Sequence, residues 1–123
     1  MGMRFEGRIR LYGKEEEINE IINFFSFLYT QEEDYENYKY EALLSESGYP
    51  TVHKTKKQIL FDFTNSSSSE YEEFLNFFIN YSKNYKNAIF RIFVIVEYGQ
   101  DTNRLKIQNG EIIEQKTSRP LTS

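Results

Sequence analysis

The stretch AIFRIFVIVEY, residues 88–98, decides the fold of this 123-residue chain. Apolar side chains recur at every second position, which is the period of a β-strand. The members of this face are Phe90, Ile92, Val94 and Val96. Phe93 and Ile95 make the opposite face apolar as well. A strand covered on both faces is typical of the middle of a sheet, so this segment is predicted to be a central strand.

The rest of the chain divides into elements on the same criteria. Residues 4–12 alternate between apolar side chains and arginine, which predicts a strand. Two helices are predicted at residues 14–30 and 70–85, where apolar residues recur at the 3.6-residue helical period. The remaining predicted strands are residues 38–45 and 58–63, as one hairpin, and residues 104–108 and 111–116, as a second hairpin around Asn109–Gly110.

The predicted order is β-α-β-β-α-β followed by a C-terminal β-hairpin. This order predicts an α+β fold, with an antiparallel sheet and both helices on one face. It resembles the ferredoxin-like split βαβ plan. Residues 1–116 are predicted to form a single α+β domain, and residues 117–123 a disordered tail. Because this plan hosts many unrelated functions, it names none.

The composition excludes several kinds of chemistry. The chain has no cysteine, so it forms no disulfide, zinc–thiolate site, iron–sulfur cluster or cysteine nucleophile. Its single histidine, His53, is followed by three lysines within four residues, which would repel a divalent cation. No phosphate-binding loop or serine-nucleophile pattern surrounds its glycines. The sequence therefore predicts a protein that is not an enzyme and has no cofactor and no bound metal.

Two further expectations concern location. The absence of cysteine fits a reducing compartment and predicts a cytoplasmic protein. The longest apolar stretch, residues 92–96, is far too short to span a bilayer. No membrane partner is therefore expected.

An acidic, tyrosine-rich segment suggests the first function. The residues with this character are Glu32, Glu33, Asp34, Tyr35, Glu36, Tyr38 and Tyr40. Acidic groups steer a basic partner, and tyrosine supplies rigid contact area with a polar tip. We therefore expect a non-catalytic protein-binding module that blocks a basic, nucleic-acid-binding surface. Small acidic inhibitors and immunity proteins of phages and mobile elements, anti-CRISPR proteins among them, are similar in general character but share no residue pattern with this chain.

A basic sheet face suggests a second function. The residues concerned are Arg4, Arg8 and Arg10 on one side of the first strand, with Lys54, Lys56 and Lys57 as a second cluster. If the first strand is central, these arginines project from the sheet face that carries no helix. Several RNA-binding domains use that face. Nucleic-acid binding is therefore the alternative, although the net charge of −4 argues against a wholly basic protein.

A third function follows from apolar residues on the same side. Leu43, Leu60, Phe93 and Ile95 are predicted to face away from the helices. An exposed apolar sheet face is typical of a dimer interface. A dimeric regulatory domain that binds a small ligand is therefore a further alternative.

Overall fold

The computed structural model describes residues 3–27, 51–66, 68–96 and 101–118. Within these ranges it contains six strands and two α-helices. In chain order they are β1 (Met3–Tyr12), α1 (Glu15–Phe27), β2 (Thr51–His53), β3 (Gln58–Ser66), α2 (Ser68–Tyr81), β4 (Ile89–Val96), β5 (Asp101–Gln108) and β6 (Glu111–Ser118). A short 3-10 helix, Ser82–Asn84, follows α2.

The six strands form one antiparallel sheet in the order β2-β3-β1-β4-β5-β6. The predicted α+β class and antiparallel sheet are therefore confirmed. β4 lies between β1 and β5, as its two apolar faces predicted. The C-terminal hairpin of β5 and β6 is also confirmed, and its first strand pairs with β4.

The hydrophobic core lies between one face of this sheet and the two helices. Ile9 of β1 pairs with Ile59 of β3 on one side and with Ile92 of β4 on the other, and all three are fully buried. Directly paired residues of antiparallel strands project to the same side, so one buried row crosses the sheet. The helical residues packed in the same cluster are Ile18, Ile21, Ile22, Phe25, Phe74, Phe78 and Tyr81. All seven lie within the two segments predicted as amphipathic helices, residues 14–30 and 70–85.

The contact between α2 and the sheet depends on a glycine in β1. A β-carbon on Gly7 would lie 2.8 Å from Cζ of Phe74, so the ring occupies the space that a side chain would need. Phe74 makes edge-on ring contacts with Phe61 of β3 and Phe78 of α2. Gly7 therefore lets α2 approach β1 closely. Within the described residues, neither helix is long and apolar enough to cross a membrane.

The turn between β5 and β6 has the backbone geometry that its sequence predicts. The φ angles are 47° at Asn109 and 81° at Gly110, and a type I′ turn requires positive values at both positions. The Gly110 N–H donates a hydrogen bond of 2.8 Å to Oγ of Ser82. This fully buried serine in turn donates to the Ile79 carbonyl over 2.8 Å. The hairpin is thus tied to the end of α2.

The bounds of several elements differ from the predicted ones. On the side away from β1, β3 pairs with β2 (Thr51–His53), whereas the predicted hairpin partner, residues 38–45, lies outside the described residues. A turn over residues 54–57 forms the hairpin, and the Lys57 carbonyl accepts the Leu11 N–H of β1 over 3.0 Å. β3 continues to Ser66, α2 spans Ser68–Tyr81, β5 begins at Asp101 and β6 ends at Ser118. The last strand therefore extends two residues beyond the predicted end of the folded part.

Candidate functional site

The sheet face opposite the helices, which we call the open face, carries a cluster of arginines. Its residues alternate along each strand with the buried residues of the core. Neither described helix packs against it, because both contribute to the core on the other side. The exposed arginines of this face are Arg8, Arg10, Arg91 and Arg104. They come from three adjacent strands, β1, β4 and β5.

The register of the sheet places these arginines around one aromatic ring. Arg8 pairs with Phe93, and Phe93 pairs with Arg104, so the ring lies between two arginines in one row. In the next row Arg10 pairs with Arg91. Paired residues have β-carbons about 4.5–5.5 Å apart. A cleft of about 270 Å³ lies here, lined by Arg8, Arg10, Gln58, Arg91, Ile92, Phe93 and Arg104.

The ion pairs of Glu114 on the open face are formed by lysines and not by the arginines of this cluster. On the open face, Glu114 of β6 lies 3.0 Å from Nζ of Lys106 and 4.0 Å from Nζ of Lys116. The hydrogen bond from Lys106 and its charge hold the pKa of the Glu114 carboxyl below its usual value, with smaller effects of Lys116 and Arg91. The four arginines form no such ion pair within the described part of the chain. They are therefore available to an anionic ligand.

Two arginines lie against aromatic rings. The guanidinium carbon of Arg104 is 5.1 Å from the ring centre of Phe93, and that of Arg10 is 6.0 Å from the ring centre of Tyr12. Both distances fall within the range of cation–π attraction. Tyr12 is 39% exposed and Phe93 is half-buried. Each pair therefore presents an aromatic ring and a planar cation together at the surface.

The basic area of the open face is limited on one side by carboxylates. Glu6 of β1 pairs with Asp62 of β3 and with Ile95 of β4. A second cleft, of about 340 Å³, is lined by Glu6, Gly7, Arg8, Thr51, Leu60, Phe61 and Asp62. Because this row carries two acidic side chains, the positive area ends on this side at the row that contains Arg8.

The two layers of the fold carry opposite charge. α1 contains four glutamates and α2 contains three, and neither helix contains a lysine or an arginine. The arginine cluster lies on the far side of the sheet from these helices. The net charge of −4 is a sum over the whole chain, to which residues 28–50 contribute six acidic residues and one lysine. This sum does not describe the potential near the cluster.

The predicted basic residues are placed as follows. Arg8 and Arg10 are exposed on the open face, whereas the side chain of Arg4 lies outside the described part of the structure. The lysine cluster, Lys54, Lys56 and Lys57, is in the turn between β2 and β3. That turn lies at the end of the sheet nearest Arg10, because Gln58 pairs with Arg10. Lys54 and Lys56 are exposed there and Lys57 is half-buried.

The predicted acidic surface lies outside the described residues. This applies to every member: Glu32, Glu33, Asp34, Tyr35, Glu36, Tyr38 and Tyr40. Of the predicted apolar set, Leu43 also lies outside, whereas Leu60, Phe93 and Ile95 are half-buried on the open face. Arg8 pairs with both Leu60 and Phe93 and lies between them. These side chains therefore do not form one continuous apolar patch.

Four basic residues of the open face were not predicted as site residues: Arg91, Arg104, Lys106 and Lys116. The sequence does indicate that the first three lie on the sheet face opposite the helices, because they alternate with apolar residues along their strands as Arg8 and Arg10 do. Arg91 alternates with Phe90 and Ile92, which are core residues. The alternation assigns a face within one strand. It does not place Arg91 beside Arg10, since that requires the register between β1 and β4.

The described residues contain no group of three or more His, Cys, Asp or Glu side chains that could hold a metal ion. His53 is exposed at the edge strand β2 and pairs with Gln58. The arginines of the open face can bind anions by charge, and together with Phe93 and Tyr12 they can bind aromatic or planar groups by stacking.

Comparison of the chain with models of protein families, with curated proteins and with solved structures finds no match.

Proposed function

We propose that this domain binds nucleic acid through the arginine cluster of the open face. The observation that carries the proposal is the placement of four arginines without ion-pair partners among the described residues around Phe93 on one sheet face. Phosphate contacts by Arg and Lys supply most of the affinity of sequence-independent nucleic-acid binding. Arginine is well suited to phosphate because its planar guanidinium can donate two parallel hydrogen bonds.

The charge layout supports an oriented approach of the ligand. The glutamates of the helical layer repel a polyanion, and the arginines of the open face attract it. A local basic surface of this kind can bind nucleic acid in a protein of negative net charge. The turn with Lys54 and Lys56 extends the basic area beyond Arg10, at the edge of the sheet.

We also propose that the domain has the ferredoxin-like arrangement of strands and helices. In its support, β1 lies between β3 and β4 while β2 is at the edge, and all pairings among these strands are antiparallel. β5 and β6 extend the sheet beyond β4. Both helices contribute to a core on one face, which leaves the other face for a ligand.

The test is the salt dependence of binding to a fluorescent single-stranded oligonucleotide, measured by anisotropy. Four phosphate contacts predict that log K falls with log salt concentration at a slope of about −2.8. The variant Arg8→Gln/Arg10→Gln should reduce the slope to about −1.4, and Arg8→Glu/Arg10→Glu should abolish binding. The matched control Lys14→Gln/Lys86→Gln removes the same charge from exposed positions outside the strands and should bind as the unmodified protein does.

Two results would refute the proposal. The first is no binding at about 50 mM salt, where electrostatic affinity is high. The second is equal weakening by the arginine variant and the lysine control, which would reflect net charge and not this face. Urea unfolding of each variant verifies that the fold is intact.

The protein-binding alternative stays a prediction, since its acidic, tyrosine-rich segment lies outside the described residues. A symmetric dimer through the open face is disfavoured by charge, because it would place Arg8, Arg10, Arg91 and Arg104 of one copy against the same four of the other. Cytoplasmic localisation remains a prediction from the lack of cysteine.

A further inference from the structure

We infer that the ligand of the open face is a single-stranded nucleic acid, and that unpaired bases stack on Phe93 and Tyr12 while Arg10 and Arg91 contact the backbone phosphates between them. This inference rests on the proposed function and specifies its ligand. It is drawn from two aromatic–arginine pairs that the register holds at a fixed separation on adjacent strands.

The first step concerns the separation of the two rings. Tyr12 and Phe93 lie on β1 and β4, and Arg8, the partner of Phe93, is four residues from Tyr12. At about 3.4 Å per residue, this places the rings roughly 14 Å apart along the strands. The row that contains Arg10 and Arg91 lies halfway between them. The surface therefore alternates ring, paired cations, ring, so that one base can stack on each ring while the phosphates between these two bases contact the cations.

The second step concerns the guanidinium groups on the rings. Arg104 lies 5.1 Å from the ring centre of Phe93 and Arg10 lies 6.0 Å from that of Tyr12. Both aromatic rings and guanidinium planes stack on nucleic-acid bases. At Phe93 the two planar groups are present together, so a base can stack on either of them. Acidic side chains close to these rings would oppose the binding of a nucleic acid. The paired carboxylates Glu6 and Asp62 lie in the row next to Arg8, on the side away from Tyr12.

The third step excludes a duplex as the preferred ligand. In a duplex every base is paired and stacked inside the helix, so it can offer this surface only its phosphates and groove edges. Stacking on Phe93 and Tyr12 is available only to a strand with splayed bases. Base stacking on an aromatic side chain contributes substantially to affinity and depends little on sequence. We therefore expect preference for single strands with little sequence selectivity.

The experiment compares four ligands of equal length and label: single-stranded RNA, single-stranded DNA, the DNA duplex, and a DNA strand with abasic sites throughout. The abasic strand keeps the phosphates and removes the bases. Because two bases stack, we expect the single strands to bind at least roughly 25-fold more tightly than the abasic strand. Phe93→Leu should reduce this difference by at least roughly 5-fold and leave the salt slope unchanged, since no charge is lost. Phe93→Tyr keeps an aromatic ring and should therefore bind as tightly as the unmodified protein. Ile95→Val, a matched apolar change on the same face, should have no effect.

A spectroscopic readout reports stacking directly. The chain contains no tryptophan, so Phe93→Trp creates a single reporter on the open face. Its fluorescence should be quenched by the single strands but not by the abasic strand. Ile113→Trp, at an exposed position on β6, is the control and should not be quenched.

The outcomes separate the two proposals. Equal affinity for the abasic strand, the duplex and the single strands would overturn the inference while leaving electrostatic binding intact. Unchanged binding by Phe93→Leu, or equal quenching of both tryptophan reporters, would also overturn it. Failure of every ligand to bind with a salt-dependent affinity would overturn the proposed function itself.

Discussion

Replacement of Gly7 by alanine tests the close contact between α2 and the sheet. The added β-carbon would lie 2.8 Å from Cζ and 3.3 Å from Cε1 of Phe74, whereas carbon atoms in contact are about 3.5–4.0 Å apart. The ring would have to retreat by roughly 1 Å. Phe74 is only 1% exposed, and its ring centre is 5.3 Å from that of Phe61 and 5.2 Å from that of Phe78. It therefore has little room to move.

The expected cost follows from two opposing effects. Overpacking of a well-packed core costs about 1–3 kcal/mol. Alanine also reduces the conformational freedom of the unfolded chain, which stabilises the fold by about 0.4–1 kcal/mol. We therefore expect Gly7→Ala to lower the free energy of unfolding by about 1–2 kcal/mol. Urea denaturation followed by far-UV circular dichroism measures this change.

A double-mutant cycle identifies the cause. In a Phe74→Leu background the ring is absent, so Gly7→Ala should be neutral or stabilising by up to about 1 kcal/mol. The two substitutions should therefore be coupled by more than about 1 kcal/mol, well above the usual error of additivity of about 0.5 kcal/mol. The same cost of Gly7→Ala in both backgrounds would refute the reasoning, because the ring would then not be its cause.

Two further predictions concern titratable groups. Burial raises the pKa of the Tyr71 phenol above its ordinary value of 10.0, although the hydrogen bond from Asn103 opposes the shift. The folded state then holds this proton more tightly than the unfolded state, so stability is complete below pH 10 and declines as pH rises towards the folded-state pKa. Unfolding free energies between about pH 8 and pH 11 should decline less steeply in Tyr71→Phe, and equal declines would contradict this. At neutral pH, Glu114→Gln should tighten oligonucleotide binding roughly 1.5- to 5-fold, because it releases Lys106 and Lys116 from an exposed ion pair. Unchanged or weaker binding would show that these lysines do not face the ligand.

The elements of this fold were largely predictable because local patterns determine them. The alternation at Ile9 and Leu11 and the Asn109–Gly110 pair each depend on residues close in sequence, and the structure matches both. The predicted hairpin partner of β3, residues 38–45, lies outside the described residues. The observed partner, β2, has only three residues, too few for an alternating pattern to be recognised.

The arginine cluster was predictable only in part. The alternation in β1 places Arg8 and Arg10 on one side, as predicted from the sequence. The position of Arg91 beside Arg10, and of Phe93 beside Arg8, depends on register between β1 and β4, whose paired residues are 81 and 85 positions apart in the chain. No local pattern encodes that register. Where one sheet face is buried, the burial of its apolar side chains specifies the register, and the paired residues Ile9 and Ile92 are both fully buried.

The central position of β1 has a consequence for synthesis of the chain. Both neighbours of this strand are made later, and β4 ends 84 residues after β1, at Val96 against Tyr12. At about 5–20 residues per second, roughly 4–17 s separate the emergence of these two strands from the ribosome. During that interval the edge of β1 that will pair with β4 is open to wrong partners. Charged side chains on a strand discourage such pairing, so Arg8 and Arg10 would keep the nascent chain soluble before any ligand is bound.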